Sequence, residues 1–442
     1  MVVASVVFYG WYDPRLAIWI VAATLVNHYA ARLSAAWREK PGLRAWLIRF
    51  MVFANVAVLI WYKYAAWLLE SVVNGLAGVG IRLGVPVPGI LLPIGISFYV
   101  LQSISYQVDV YRDQVEPARY LRETMLFKLF FPQVVAGPIV RAHQFLPQLT
   151  VWPRPQRAIG PAVMLICAGI FKKVVVAGAI FSTTTATGAA PGAYSGGDVL
   201  LHLLGEAIRV YCDVSSYADF AVGLGMLLGL TLPFNFRKPF AAINMSDFWR
   251  RWHITLYTWL RDYIFLPLTG DKPTGYRLAV AALVTMTISG IWHGVGFGFV
   301  VWGALNGVVL VVEGVLRTRR IRARRPRKVG GWRRPLSAIY VMGMLVALGP
   351  LFAGRTLGQT LVTWKGVFHH WSWPITTITP LWFILVLSVY AAQFLPFGLH
   401  ERFGAYFDKL HPVLQGLGIG LFLVGVSIIS VPGVAPYLYY HF

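Results

Sequence analysis

Acidic side chains are scarce in this chain. Only 17 Asp and Glu stand against 39 Lys and Arg, and charged residues of all kinds make up 13% of 442 positions. So few charges cannot coat a soluble globule of this length, and the remainder explains why: 57% of residues are hydrophobic and the mean hydropathy is +0.63. That balance describes a polytopic membrane protein, in which one continuous helix bundle can absorb the whole sequence as a single domain, 1–442. Cysteine is scarcer still. Cys167 and Cys212 lie in apolar segments without CxxC or CxxxxH spacing, which excludes a disulfide framework and argues against a thiolate metal site. Also missing are a GxSxG elbow, a Walker A loop, an HExxH pair and an EF-hand loop, so a serine hydrolase of the soluble type, a nucleotide hydrolase and a zincin are poorly supported.

What charge there is gathers in one place. The net charge of +22 owes much to RTRRIRARRPRKVGGWRRP, where ten Lys or Arg fall between Arg317 and Arg334 with no acid among them. In a membrane protein this block, 317–334, reads as a cytoplasmic loop facing anionic headgroups. Nucleic-acid binding is not indicated, because Trp332 alone interleaves the charges. The opening stretch lacks a basic leader and an A-x-A site before its first apolar run, and is expected to remain as the first helices.

Apolar runs centre on residues 16–33, 45–70, 90–108, 124–140, 158–182, 198–232, 276–316, 336–354, 379–396 and 412–432. With about 20 residues per crossing, and some runs long enough for two, they predict an all-α bundle of roughly nine to twelve spans. Three stretches are not simple spans. FFPQVVAGPIVRAHQFLPQL, 130–149, holds Pro132, Pro138 and Pro147 around Gly137. It cannot be an unbroken helix and is read as re-entrant, with Arg141 and His143 at its exit. SDFWRRWHITLYTWLRDYIFLPL, 246–268, predicts one amphipathic helix capped by Ser246 and Asp247, with His253, Tyr257 and Arg261 on one side, at the interface or along a cavity. YCDVSSYADFAVGLGMLLG, 211–229, brings Asp213 and Asp219 into an apolar run, where they should face the interior and pair with arginines or helix donors.

Two histidines stand apart from the rest. His253 and His293 lie 40 positions apart, and His293 sits in MTISGIWHGVGFGFVVWG among tryptophans and glycines. A buried neutral imidazole suits proton transfer at neutral pH, although on these grounds alone His293 is equally a packing residue and His253, on an amphipathic segment with arginines, reads more readily as an interfacial one. Gly294, Gly296 and Gly298 are expected to let a backbone or a long thin ligand pass close to His293. His28, His202, His369, His370, His400 and His411 sit near run ends or loops and are expected to meet headgroups.

In order along the chain, LPIGISFYVLQSISYQVDVYR, FFPQVVAGPIVR, YCDVSSYADFAVGLG, LPFNFRKPF, SDFWRRWHITLYTWLRDYIFLPL and SGIWHG resemble the membrane-bound O-acyltransferase family. They resemble above all its bacterial branch of alginate, peptidoglycan and cellulose acetylation proteins. The motifs cover residues 92 to about 307; FYGWYDPR near the start and APYLYYHF at the end resemble that branch too, while Tyr440, His441 and Phe442 depart from its usual Tyr-Phe-Gln-Phe tail. The resemblance implies a helix bundle with re-entrant segments around a central tunnel, a catalytic histidine at His293 and a second polar position at His253. Trp292, Tyr257, Arg261, Asp213, Arg141 and Gly294 are then candidates for lining the tunnel or binding substrate.

The activity so implied is O-acyl transfer, most simply acetyl transfer, toward hydroxyls of an exported polysaccharide from a bacterial cytoplasmic (inner) membrane. The donor would be acetyl-CoA or another acyl thioester, including an acyl carrier protein, drawn to the basic loop on the cytoplasmic side. No tightly bound cofactor or metal is implied, and a periplasmic or extracellular acyltransferase partner, or the polysaccharide itself, would receive the acyl group. Within the family the alternative is D-alanyl transfer to teichoic acid with a carrier protein. From another class the alternative is a transporter or scramblase, for which inverted-repeat broken helices would be expected.

Overall fold

The computed structural model describes residues 1–82, 84, 86, 89–90, 92–150, 158–322, 333–353, 356–369, 371 and 378–430. The middle of the basic loop, 323–332, the tail at 435–442 and His370 lie outside the described residues. Among the described residues regular structure is entirely helical. Seven helices are long and apolar enough to cross a membrane, and Val2–Trp11 and Pro380–Ala392 are shorter apolar helices. The other apolar runs divert for visible reasons. Gly196–Leu227 is long enough at 32 residues but carries Asp198, Glu206, Arg209, Asp213 and Asp219. The 45–70 run is part of one helix of 38 residues, Pro41–Gly78.

The chain divides into two compact units, 1–156 with 229–232, and 157–228 with 233–442. In the first, the Pro14–Ala36 helix presents Thr24, Asn27 and His28 on one face, at the i, i+3, i+4 spacing of neighbours on a helix. Gln107 Nε2 donates to the Asn27 carbonyl at 2.7 Å, Thr24 Oγ1 and the Tyr99 hydroxyl lie 3.1 Å apart, and His28 Nδ1 lies 2.8 Å from Thr124 Oγ1. His28 is therefore buried in a polar seam rather than meeting headgroups. The proline-rich stretch is buried and non-helical until the short turn Ala142–Phe145, so the break expected at Pro132 and Pro138 is present. Gly95 makes room for it: its φ is +73°, and a Cβ there would fall 2.0 Å from the Val134 carbonyl oxygen. Arg141 is buried at the start of that turn, and His143 is exposed.

The second unit is built on Gly196–Leu227. Ile159–Ile170 packs along it closely enough that a Cβ on Gly169 would meet the Ser216 carbonyl at 2.8 Å, and one on Gly223 the Ala162 carbonyl at 2.9 Å. After Ile170 the helix widens into a π turn, Phe171–Ala177. Such a turn shifts the facing of the side chains it carries, and here it brings Lys172 to Asp219 at 2.6 Å and Lys173 to Asp213. The acids thus pair with lysines of a neighbouring helix instead of the arginines expected. Gly275–His293 and Phe297–Arg322 form a tight antiparallel hairpin. A Cβ on Gly290 would lie 2.1 Å from the Phe299 carbonyl oxygen, one on Gly303 2.4 Å from that of Met286, and one on Gly307 2.8 Å from the Leu283 Cα. Small residues here set how close two backbones come.

Candidate active site

The 246–268 segment is not one helix. Met245–Trp249 is a short helix capped by Asn244, whose side chain accepts from the Asp247 amide at 2.8 Å; Ser246 and Asp247 lie inside it rather than capping it. The chain then turns through Arg250–Trp252, and His253 stands at φ +44° as the residue before Ile254–Leu260. The turn is fastened across its base. The Arg237 amide donates to the Arg251 carbonyl at 2.9 Å and the Ile254 amide to the Asn235 carbonyl at 2.8 Å. Thr255 donates twice to the Asn235 side-chain oxygen, from its amide at 3.1 Å and its hydroxyl at 2.6 Å. A left-handed residue without a glycine's freedom is held by its surroundings, and such positions concentrate at functional sites. The single helical side proposed for His253, Tyr257 and Arg261 does not form, because His253 is outside the helix.

The other end of the segment is also anchored. Glu313, on Phe297–Arg322, accepts from the amides of Met245 and Ser246 at 2.8 and 2.9 Å, from the Ser246 hydroxyl at 2.8 Å and from the Tyr340 hydroxyl at 3.0 Å. A carboxylate at a helix start is favoured by both charge and hydrogen bonding.

His293 ends its helix and is 4% exposed. Its ring is packed edge-to-face by Trp292 at 4.9 Å between centroids, Phe352 at 5.1 Å and Trp302 at 5.6 Å. His253, 3% exposed, lies 6.5 Å from Trp292 and 6.2 Å from Phe236. Trp292 therefore contacts both imidazoles. His253 lies outside the membrane-spanning helices, and burial pushes its imidazole down to about 4, so it is neutral at physiological pH.

A cavity of about 950 Å³ lies over His293. Its deep end is aromatic, with Phe240, Phe248, Trp249, Trp252, Trp302 and Phe352; its exposed rim runs through Ala189, Ala190, Gly192, Ala193, Gly358 and Gln359. Neither His253 nor Trp292 lines it, so of the two histidines only His293 faces this cavity. Two helices relate this cavity to the arginine block. Phe297–Arg322 contributes Trp302 and Asn306 and then runs on to Arg317, about 17 Å beyond Asn306 at 1.5 Å per residue. Arg333–Phe352 returns from the arginines and reaches the cavity between Met344 and Phe352. The cavity thus opens at the helix ends opposite those carrying the arginines.

The remaining expected residues fall elsewhere. Tyr257 is half-buried against the second unit's core, and Arg261 is exposed and paired with Asp262 at 2.7 Å. Asp213 is buried with Lys173, and Arg141 belongs to the first unit. Gly294 does not make way for a ligand. A Cβ there would sit 2.2 Å from the Phe299 ring, so the glycine accommodates a side chain of its own hairpin, whereas Gly296, at φ +120°, has open space beside it. Residues on the cavity that the sequence reading passed over are Glu206, Arg209, Asn306 and His202, the last of which had been expected at headgroups.

The model of the membrane-bound O-acyltransferase family matches residues 121–349, more than half of the chain, and the chain belongs to that family. It is an O-acyltransferase with a multi-pass membrane body. Among its relatives, a probable alginate O-acetylase of Azotobacter vinelandii is 31% identical over 86% of this chain and 74% of its own length. A peptidoglycan O-acetyltransferase of Helicobacter pylori is 30% identical over 71% of this chain and 63% of its own. A teichoic acid D-alanyltransferase of Streptococcus thermophilus is 28% identical over 54% and 60%.

Proposed function

We propose that the protein acts as a single membrane-embedded enzyme, in a bacterial cytoplasmic membrane, that transfers acetyl groups from a cytoplasmic thioester to hydroxyls of an exported polysaccharide. The observation that carries this reading is the position of His293, at the floor of a cavity opening opposite the arginine-bearing helix ends. An acceptor entering there comes from outside, while a thioester arriving at the arginine face comes from inside. Acetyl-CoA or an acyl carrier protein would supply the phosphates or carboxylates that the arginines attract.

In this reading His293 takes the proton of the accepting hydroxyl as its oxygen attacks the thioester carbonyl carbon. The C–S bond breaks as the new C–O bond is completed, and the proton leaves on the thiolate, giving ester and free thiol. His253 acts at one remove. Neutral and fixed at its strained turn, it packs against Trp292, which packs against His293, and so it is a positioning residue.

Replacing His293 by Ala tests the assignment: the acetyl content of the exported polymer falls to background while the protein accumulates normally. Unchanged acetylation would remove His293 from the mechanism. A second reading, D-alanyl transfer, is favoured by the teichoic acid relative, though the match covers about half of this chain. Incorporation of labelled acetate rather than labelled alanine into the envelope decides between them.

A further inference from the structure

The cavity carries more polar chemistry than the passage of an acetyl group calls for. His202, Glu206 and Arg209 stand at i, i+4 and i+7 on Gly196–Leu227, a stripe about 10 Å long along one wall. Arg209 Nε donates to Glu206 Oε2 at 2.7 Å and its Nη2 donates to Oε1, so guanidinium and carboxylate meet as a planar, two-pronged pair. The Phe181 ring lies 5.7 Å beneath the guanidinium. The Glu206 side chain remains 27% exposed and that of Arg209 10%. Among the described lining residues Glu206 is the one acid and Arg209 the one Lys or Arg, so the wall's formal charges cancel.

A planar ion pair and aromatic rings lining the same cavity match the two characters of a sugar ring. Hydroxyls bond to carboxylate lone pairs and guanidinium N–H groups, and the C–H faces lie on Trp and Phe rings. A ring that carries its own carboxylate or phosphate fits worse. It would set a second negative charge beside Glu206, in a site walled by low-dielectric aromatics, with Arg209 already engaged. At about 950 Å³ the space is at the upper end of ligand pockets and holds far more than an acetyl group.

We infer that His202, Glu206 and Arg209 form an acceptor-recognition wall that selects an uncharged carbohydrate hydroxyl over a uronate or phosphorylated one. The inference rests on the reading of the cavity as the acceptor side of an acyl transfer, and it names the substrate class of that same site.

The test is equilibrium binding by titration calorimetry to the full chain in lipid nanodiscs, without donor. The probes are a neutral gluco-oligosaccharide and the glucuronate oligomer of the same length. The unsubstituted protein binds the neutral probe at least about tenfold more tightly, and E206Q and R209M each weaken that binding by about tenfold, with R209K intermediate. Equal binding of the two probes, binding of neither, or E206Q and R209M binding as tightly as the parent would each overturn the inference. The comparison of probes needs no substitution, so a variant that fails to fold does not leave the question open. Failure here, with acetylation still dependent on His293, removes the wall alone. Selective binding of the neutral probe, with acetylation independent of His293, removes the catalytic reading and leaves the wall.

Discussion

The indole of Trp292 stands edge-on to the imidazole of His253, with ring centroids 6.5 Å apart and planes at 88°. The same indole meets His293 at 4.9 Å, so a strained turn and a helix end are joined through one side chain. Each ring in that row is buried.

His253→Asn should fold and keep partial activity, because asparagine tolerates the left-handed conformation at φ +44°. His253→Ala keeps the left-handed residue but removes the buried ring that packs on Trp292 and Phe236, and should lose more stability than the Asn variant and lose activity with it. Thermal unfolding in detergent, beside acetyl transfer, separates the two; equal behaviour of the variants would argue against both the strain and the positioning role.

Stability should also fall in mild acid through the same residue. The folded imidazole titrates near 4 and the unfolded one near 6.5, so the unfolded chain binds the proton first. The stabilisation from neutral His253 is complete above about pH 6.5 and is lost as pH falls toward about 4. His253→Asn should flatten that limb of the melting profile, and parallel profiles for the two proteins would contradict it.

Gly290→Ala and Gly294→Ala should differ. At Gly290 the added Cβ meets the Phe299 backbone carbonyl at 2.1 Å, which can yield only by separating the two helices. At Gly294 it meets the Phe299 ring at 2.2 Å, and a ring can be shortened. Phe299→Leu should therefore recover part of the stability lost in Gly294→Ala but none of that lost in Gly290→Ala, read as melting midpoints of the double variants.

Lys173→Met takes the ammonium partner from Asp213, which is 1% exposed. Losing one member of a buried pair typically costs about 3–5 kcal/mol. Adding Asp213→Leu should return much of that loss, since no charge is then left buried. A double variant no more stable than Lys173→Met would show that the pair is not coupled.

The class of the fold and the interruption at 130–149 were legible because hydropathy and proline are local signals. The break before His253 was not. The apolar period runs unbroken from Phe248 through Leu256 to Tyr263, and a left-handed histidine leaves no mark in composition. Asp213's partner was hidden for a related reason: Lys173 is 40 residues upstream, and a π turn fixes its direction. His202, Glu206 and Arg209 read as occasional polar residues in an apolar run; only the cavity beside them shows that they share a wall. The Gly294 side of WHG was misread because Phe299, the ring that fills it, belongs to the next helix.

The hairpin that carries His293 has a consequence for how turnover proceeds. Gly290, Gly303 and Gly307 interlock the two helices backbone to backbone, so the pair cannot slide, and the imidazole at its end keeps a fixed address. On the mechanism proposed above, a catalyst held that way has no closing stroke, and access through the cavity rather than motion of the hairpin sets its pace.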